Sequence, residues 1–225
     1  GRTTKNTAQA RRVYQQQKSI AARIITTNQL PDVVKYIGGC DVAYDEPANT
    51  MIGAVVVLDA ATLEVLETAH HKMEITFPYV PGLFSFREIP SIVAAFQKLK
   101  TAPDVMVCDA HGIAHPRGVG MAAHLGVQLG IPTIGCAKKR LIGNYKPEQL
   151  AEQRGSQQQL FVEEEQVGVA LRTQNGIKPM FVSIGHKIDI TTATKLVLEL
   201  CPAYRLPETT RQADQLVNRL LKCEA

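Results

Sequence analysis

Two aspartates stand where apolar segments of the sequence end, and they are the first candidates for chemistry. Asp41 ends the apolar stretch of a predicted strand over 36–44, and Asp109 ends a short hydrophobic strand over 104–109. An aspartate at each of two adjacent strand ends offers the rigidly held oxygen ligands that a hard divalent cation needs. Glu88 adds a third carboxylate, one turn into a predicted helix. Taken alone, each residue also has a structural interpretation, as a turn or helix cap for the aspartates and a surface position for the glutamate.

Two basic side chains follow predicted strands and complete this group. Lys138 comes directly after a strand over 132–137, so its amine can reach a phosphate near the same edge of the sheet. His186 ends a later strand in the run Ser-Ile-Gly-His. An imidazole there can position or protonate a group at a metal–phosphate site, although a lone histidine of this kind is more often a loop residue with a structural hydrogen bond.

A histidine pair lies just beyond Asp109. His111 and His115 are four residues apart, but Gly112 and Pro116 argue against the helix that would align them as a zinc pair. Hydrogen bonding to nucleic acid from a glycine-containing loop is the favoured interpretation.

The segment 77–84, Phe-Pro-Tyr-Val-Pro-Gly-Leu-Phe, is the most unusual local feature. Prolines on both sides of Tyr79 restrict the backbone and lower the entropy cost of presenting its ring at a loop tip. A rigid aromatic beside a metal site suits a wedge between bases. The alternative is a proline-rich turn whose tyrosine packs onto the core.

The elements that must position these side chains follow from hydrophobic periodicity and turn residues. Helices are predicted over 7–25, 85–100, 118–130, 191–200 and 208–222. Strands are predicted over 36–44, 51–58, 63–75, 104–109, 132–137 and 180–184, with 159–171 forming a hairpin or one bent strand. Pro90 fits the second helix only if it lies in the first turn. The first three strands form an antiparallel meander, and the full order is that of an α/β fold with a mixed, ribonuclease H-like sheet flanked by helices. In such a sheet residues 41 and 109 are neighbours.

Length and composition favour one globular domain over residues 1–225, with the helix over 7–25 preceding a catalytic core over 36–222. The five cysteines form no Cys-x-x-Cys, which argues against a disulfide framework or a zinc ribbon. The apolar runs are far shorter than the ~20 residues of a membrane span, so we expect a cytoplasmic protein with no membrane partner.

The formal net charge is +4. Two local basic groups fit phosphate binding, although a solvated helix face and a basic loop are the alternative; their members are Lys138, Lys139, Arg140 and Lys146, and Arg11, Arg12, Lys18 and Arg23.

Six stretches of the sequence resemble the endonuclease V family. They are Gly-Cys-Asp-Val-Ala-Tyr at 39–44, Pro-Tyr-Val-Pro-Gly at 78–82 with Phe-Arg-Glu at 86–88, Asp-Ala-His-Gly-Ile-Ala-His-Pro-Arg at 109–117, Pro-Thr-Ile-Gly-Cys-Ala-Lys-Lys-Arg-Leu at 132–141, Gly-His at 185–186, and Tyr-Arg-Leu-Pro-Glu at 204–208 with Thr-Arg at 210–211. They span most of the chain in the family's order.

The resemblance implies a Mg²⁺-dependent endonuclease, with Mn²⁺ as a substitute ion, on a ribonuclease H-like fold. Family members nick DNA containing deoxyinosine, single- or double-stranded, at the second phosphodiester bond 3′ to the lesion and leave 3′-hydroxyl and 5′-phosphate ends. Inosine-containing RNA is a further implied substrate. A monomer is expected, since no heptad pattern stands out.

The resemblance also implies roles for individual residues. Asp41 and Asp109 would bind the metal, Glu88 would complete the acidic site, His186 would lie beside the scissile phosphate and Lys138 would contact a backbone phosphate. Tyr79 would be the wedge that fills the space of the displaced base, and the base pocket would include the remaining matched residues Gly82, Phe84, His115 and Gly135. Ala110 departs from the glycine that is usual in the family, and a methyl group there could narrow the range of lesions.

Two other functions are compatible with the same residues. A branched-DNA or junction nuclease of the same fold would use the same carboxylates but has no use for the loop that carries Tyr79. A non-catalytic inosine-binding module would bind its strand without cutting it.

Overall fold

The computed structural model describes residues 2–76 and 84–224 of the chain. These residues form five helices, α1 (Arg2–Ala22), α2 (Phe84–Phe96), α3 (Met121–Leu129), α4 (Ile190–Glu199) and α5 (Glu208–Glu224). Their eight strands are β1 (Tyr36–Asp45), β2 (Thr50–Asp59), β3 (Val65–Glu74), β4 (Val105–Cys108), β5 (Thr133–Ala137), β6 (Gln157–Val162), β7 (Glu165–Leu171) and β8 (Met180–His186). A single 3₁₀ turn covers Pro147–Gln149. The predicted meander is confirmed, and β6 and β7 form the hairpin rather than one bent strand.

All eight strands lie in one sheet, in the order β3-β2-β1-β4-β5-β8-β7-β6. The central strands β1, β4 and β5 run parallel, whereas the pairs on both sides are antiparallel. The predicted α/β fold with a mixed, ribonuclease H-like sheet is therefore confirmed. The parallel centre matters for function because the carboxyl ends of parallel strands meet at one edge of a sheet.

Helices cover both faces of this sheet, and the alternation of side chains along β4 shows how. Val105 and Val107 pack in the core beneath α4, whereas Met106 and Cys108 pack in the core beneath α2 and α3. A third group of apolar residues joins β2 to α5. Burial on both faces explains why β4 is a continuous apolar run in the sequence.

The first turn of α2 is fixed against α3 by a buried polar contact. The Ser85 hydroxyl and His124 Nδ1 share a hydrogen bond of 2.9 Å, and the rings of Phe86 and His124 lie 4.7 Å apart between centroids. Burial lowers the pKa of His124 to about 4, so the imidazole is neutral at pH 7. This contact fixes the helix turn that leads to Glu88.

Pro90 lies in the second turn of α2, since the helix begins at Phe84. The expectation of a first-turn proline is therefore wrong. Ile89 and Ile92 are buried on either side of it, and this packing outweighs the backbone hydrogen bond that proline removes. In the described part of the chain, no helix has both the length and the apolar character to cross a membrane.

Candidate functional site

The two aspartates predicted as metal ligands emerge side by side from neighbouring parallel strands. The pairing of β1 with β4 ends at Cys40 and Cys108, whose sulfur atoms lie 3.9 Å apart. Asp41 and Asp109 are the next residue on each strand, so the predicted proximity is confirmed. One detail differs: Asp41 does not end β1, which continues beside β2 as far as Asp45.

Lys138 closes the site from the next strand. It follows the last residue of β5, and its Nζ donates a hydrogen bond of 2.9 Å to Oδ2 of Asp109. This bond raises the pKa of Lys138, which keeps the amine charged. The Lys138 side chain is 47% exposed, so the pair adds little stability. The hydrogen bond does hold a solvent-accessible cation beside the Asp109 carboxylate.

Glu88 is directed toward the same edge from α2. The Tyr44 hydroxyl donates a hydrogen bond of 3.3 Å to Oε1 of Glu88. Burial, followed by the charges of Asp41 and Asp109, raises the pKa of Glu88 to about 7. The carboxyl group therefore exchanges its proton near neutral pH.

The pKa of Asp41 depends in part on a fourth carboxylate, that of Asp214. The pKa of Asp41 is raised to about 6, chiefly by burial and then by the charges of Asp214 and Asp109, against a backbone hydrogen bond from Val42 and the charge of Lys138. Asp214 is an exposed residue of α5. We call Asp41, Glu88, Asp109 and Asp214 the acidic centre.

Sequence reasoning missed Asp214 because it lies in a helix far along the chain. The contact that places α5 is made by Gly39 of β1, where a Cβ atom would lie 2.5 Å from the carbonyl oxygen of Thr209. Only glycine therefore lets the first turn of α5 approach the strand that carries Asp41. Asp214 also follows the buried Ala213, which places it where the packed side of α5 meets solvent.

The acidic centre fits a hard divalent cation by its chemistry. Every donor is a carboxylate oxygen, and, after burial, the charges of neighbouring carboxylates are among the causes that raise the pKa values of Asp41 and Glu88. As the described side chains stand, no three of His, Cys, Asp or Glu are arranged around a common metal position. Instead, the Lys138 amine holds one Asp109 oxygen.

The structure does not bring His186 to the acidic centre, and a place for it beside the scissile phosphate stays a prediction. Strand β8 runs antiparallel to β5, so His186 pairs with Thr133 at the start of β5, whereas Lys138 follows its end. The four residue steps from Thr133 to Ala137 correspond to roughly 13 Å. The His186 side chain is buried, and its Nδ1 accepts a hydrogen bond of 3.1 Å from the backbone N–H of Ile25. Its structural function is to hold the segment after α1.

The loop after Asp109 contains no helix before α3, which agrees with the argument against a zinc pair. His111 is partly buried, burial lowers its pKa, and its Nδ1 has no hydrogen-bond partner among the described atoms. His115 is buried, and its Nδ1 accepts a hydrogen bond of 3.1 Å from the backbone of Arg117. A base contact by His115 stays a prediction.

Gly135 and Ala110 pack this loop against the sheet. A Cβ atom at Gly135 would lie 2.4 Å from the backbone nitrogen of Gly112, so the glycine lets the loop cross β5 closely. The Ala110 side chain packs against the core beneath α2 and α3. Base contact by Gly135 and an effect of Ala110 on lesion range stay predictions. Tyr79 and Gly82 lie outside the described residues, as does the side chain of Phe84.

Comparison with known proteins gives one consistent family. The family described as Endonuclease V matches residues 18–215. Endonuclease V of Nocardia farcinica is 48% identical over 206 residues, which cover 92% of this chain and 90% of the relative. The crystal structure of endonuclease V from Streptomyces avermitilis has a TM-score of 0.89 and 46% identity, and covers 94% of this chain and 92% of its own.

A second similar structure contains bound DNA. Endonuclease V of Ciona intestinalis, in complex with a 24mer DNA containing an inosine followed by a ribo-adenosine, has a TM-score of 0.85 and 27% identity, and covers 97% of this chain and 100% of its own. Because the family match and the Nocardia relative both extend over most of the chain, this protein is a nuclease acting on phosphodiester bonds and belongs to the endonuclease V family.

Proposed function

We propose that this nuclease is a DNA repair enzyme that recognises deoxyinosine and, with Mg²⁺, nicks the strand at the second phosphodiester bond 3′ to the lesion. The products would carry 3′-hydroxyl and 5′-phosphate ends. The observation that carries the proposal is the juxtaposition of Asp41, Asp109 and Lys138 at the carboxyl ends of parallel strands. The inosine-containing DNA bound by the Ciona intestinalis relative supports the choice of lesion.

Asp41 and Asp109 would hold the ion, with Glu88 and Asp214 beside them. The all-oxygen donor set favours Mg²⁺, with Mn²⁺ as a substitute. When bound, such an ion supplies Lewis-acid stabilisation of the charge that develops on the phosphate and lowers the pKa of water. The rigid strands β1 and β4 determine the separation of the two aspartates, because neighbouring strands lie about 4.8 Å apart.

Glu88 would accept a proton from the attacking water, and Lys138 would contact the phosphate. A general base is most effective when its pKa is close to the working pH, and the pKa of Glu88 is about 7. Its carboxylate would accept the proton of the attacking water, while Tyr44 holds Oε1 in place. The exposed amine of Lys138 would contact a phosphate oxygen, which stabilises negative charge in the transition state.

Selectivity would begin with the cost of turning the base out of the helix. This cost is a few kcal/mol and is lowest for a poorly paired base such as hypoxanthine. Tyr79 would fill the vacated space. Gly82, Phe84, His115 and Gly135 would line the base pocket. Hypoxanthine can be turned out of RNA as well, so inosine-containing RNA is a second proposed substrate.

A nicking assay on two duplexes that differ by one deoxyinosine, with Mg²⁺ or with EDTA, tests the proposal. We expect a single Mg²⁺-dependent nick in the inosine duplex, at the second bond on its 3′ side. Equal cutting of both duplexes would contradict recognition of the base. Binding without cutting of either would favour the inosine-binding module, and cutting of branched DNA alone would favour the junction nuclease. An inosine-containing RNA strand in the same assay tests the second substrate.

A further inference from the structure

The positive charge of this protein is concentrated at one end of the chain. Residues 1–31 contain six of the 25 Lys and Arg residues and none of the 21 Asp and Glu residues. The remaining residues therefore contain 19 basic and 21 acidic side chains, a slight negative excess. The net charge of +4 thus comes from the segment that forms α1 and its continuation. Such a local excess favours a polyanionic partner.

Part of this charge lies on one exposed face of α1. Arg11, Tyr14 and Lys18 are three and four residues apart, a spacing that places side chains on the same side of a helix. All three are exposed, and the Tyr14 ring is 43% exposed although it is aromatic. Val13 and Gln17 are the buried residues that hold the helix to the protein.

Arg117 joins this face to the loop of the acidic centre. Its guanidinium carbon lies 4.7 Å from the centroid of the Tyr14 ring, and its Nε donates a hydrogen bond to Gln17. Its backbone N–H donates to His115 in the same loop, which begins at Asp109. We call Arg11, Tyr14, Lys18 and Arg117 the α1 basic face. Arg117 therefore connects the α1 basic face with the loop that begins at Asp109.

Ion pairs within the described part of the chain do not account for Arg11 and Lys18. The ion pairs between described side chains are Arg87–Glu46, Lys138–Asp109, Arg172–Glu152 and Arg211–Glu208, and none of them uses a residue of α1. A stripe of cations beside an exposed aromatic ring is the arrangement with which proteins follow a nucleic-acid backbone. A lipid surface fits less well, because the apolar residue Val13 is buried in the protein and cannot enter a bilayer.

We propose that the α1 basic face is a second nucleic-acid contact, which binds the sugar–phosphate backbone of the substrate beyond the acidic centre. The proposal rests on the proposed function only in that the substrate is a nucleic acid. Because phosphates carry no sequence information, this contact raises affinity for strands with and without inosine alike. Arg11 and Tyr14 precede residues 18–215, which the family model matches.

The test compares two double variants that remove the same charge. Arg11→Gln with Lys18→Gln changes the α1 basic face. Lys35→Gln with Lys195→Gln is the matched control, since both lysines are exposed and lie outside the face. Binding to a fluorescent duplex of about three helical turns is measured by anisotropy in EDTA at several salt concentrations.

We expect the α1 variant to bind the long duplex roughly tenfold more weakly, with a salt slope smaller by about two, because each phosphate contact contributes about 0.9 to that slope. The loss in affinity should be equal for duplexes with and without inosine. The control variant should bind as the wild type does.

Equal losses in both variants, or an unchanged salt slope, would overturn the proposal, as would binding of the wild type to anionic vesicles but not to DNA. Because binding is measured without cleavage, an enzyme that fails to cut inosine DNA would refute the proposed function and leave this result interpretable.

Discussion

Asp41 and Asp109 occupy the first positions beyond the last paired residues of two parallel strands, since the register of β1 with β4 ends at Cys40 and Cys108. Asp41 lies within β1, and Asp109 is the first residue after β4. The opposing strand β2 continues beside Asp41 and holds it on the other side. This relationship explains how carboxylates 68 residues apart in the chain form one acidic centre.

Stability should depend on pH through Glu88 when divalent ions are absent. The pKa of Glu88 rises from 4.5 to about 7 on folding, so this group favours the folded state at low pH and disfavours it as the pH rises through 7. Glu88→Gln removes the effect and keeps the acceptor for Tyr44. In EDTA, we expect the variant to gain about 2 kcal/mol of unfolding free energy over the wild type between pH 5 and pH 8. Denaturant unfolding measures this, and a pH-independent difference would contradict it.

Lys138→Met should impair catalysis with little effect on stability. The amine is the one described cation that is hydrogen-bonded to Asp109, and loss of one positioned positive group costs roughly a hundredfold in rate. The unfolding free energy should change by less than about 1 kcal/mol, because the pair is exposed. Lys139→Met is the matched control, since that side chain is exposed and adjacent. Equal values of kcat/KM for the two variants would refute the assigned role.

Asp214→Asn tests the carboxylate that the sequence did not reveal. Removal of its charge should lower the pKa of Asp41, because Asp214 raises it in the intact protein. We expect the Mg²⁺ concentration for half-maximal nicking to rise at least roughly threefold, as oxygen ligands and negative charge determine affinity for this ion. The control is Asp32→Asn, an exposed carboxylate that precedes β1. A metal requirement identical to that of the control would exclude Asp214 from the acidic centre.

His186→Gln should affect folding rather than chemistry. The imidazole binds the backbone of Ile25 at the opposite end of β5 from Lys138, and a lost hydrogen bond of this kind costs about 1–2 kcal/mol. The nicking rate of a single turnover should stay within about threefold of the wild type. A loss of a hundredfold or more, with a folded variant, would place His186 in the reaction after all.

The difference between His186 and Lys138 shows what a sequence can predict here. The parallel pair β1–β4 was predictable from the ribonuclease H-like order of elements, in which the first meander strand can lie beside the strand that follows the first helix. The position of Lys138 was also predictable, because this residue comes directly after the last residue of β5. The direction of β8 relative to β5 was not predictable, since an apolar strand fits a sheet either way. That direction alone decides at which edge His186 lies.

Asp214 illustrates a second limit, the packing of a helix on a distant strand. The amphipathic pattern of α5 indicates which side is buried but not which strand it covers. That choice depends on the close approach of Thr209 to Gly39, which becomes visible only in three dimensions. The buried Ile89 and Ile92 likewise outweigh the local cost of Pro90.

The most direct test of the account is single-turnover nicking by Asp41→Asn and Asp109→Asn on an inosine duplex with saturating Mg²⁺. Each substitution keeps the size of the side chain and removes one anionic oxygen ligand. We expect each variant to lose at least roughly a thousandfold in rate, while anisotropy in EDTA shows inosine DNA bound as tightly as by the wild type. Nicking at the wild-type rate by either variant would contradict the assignment of these two aspartates as the metal ligands.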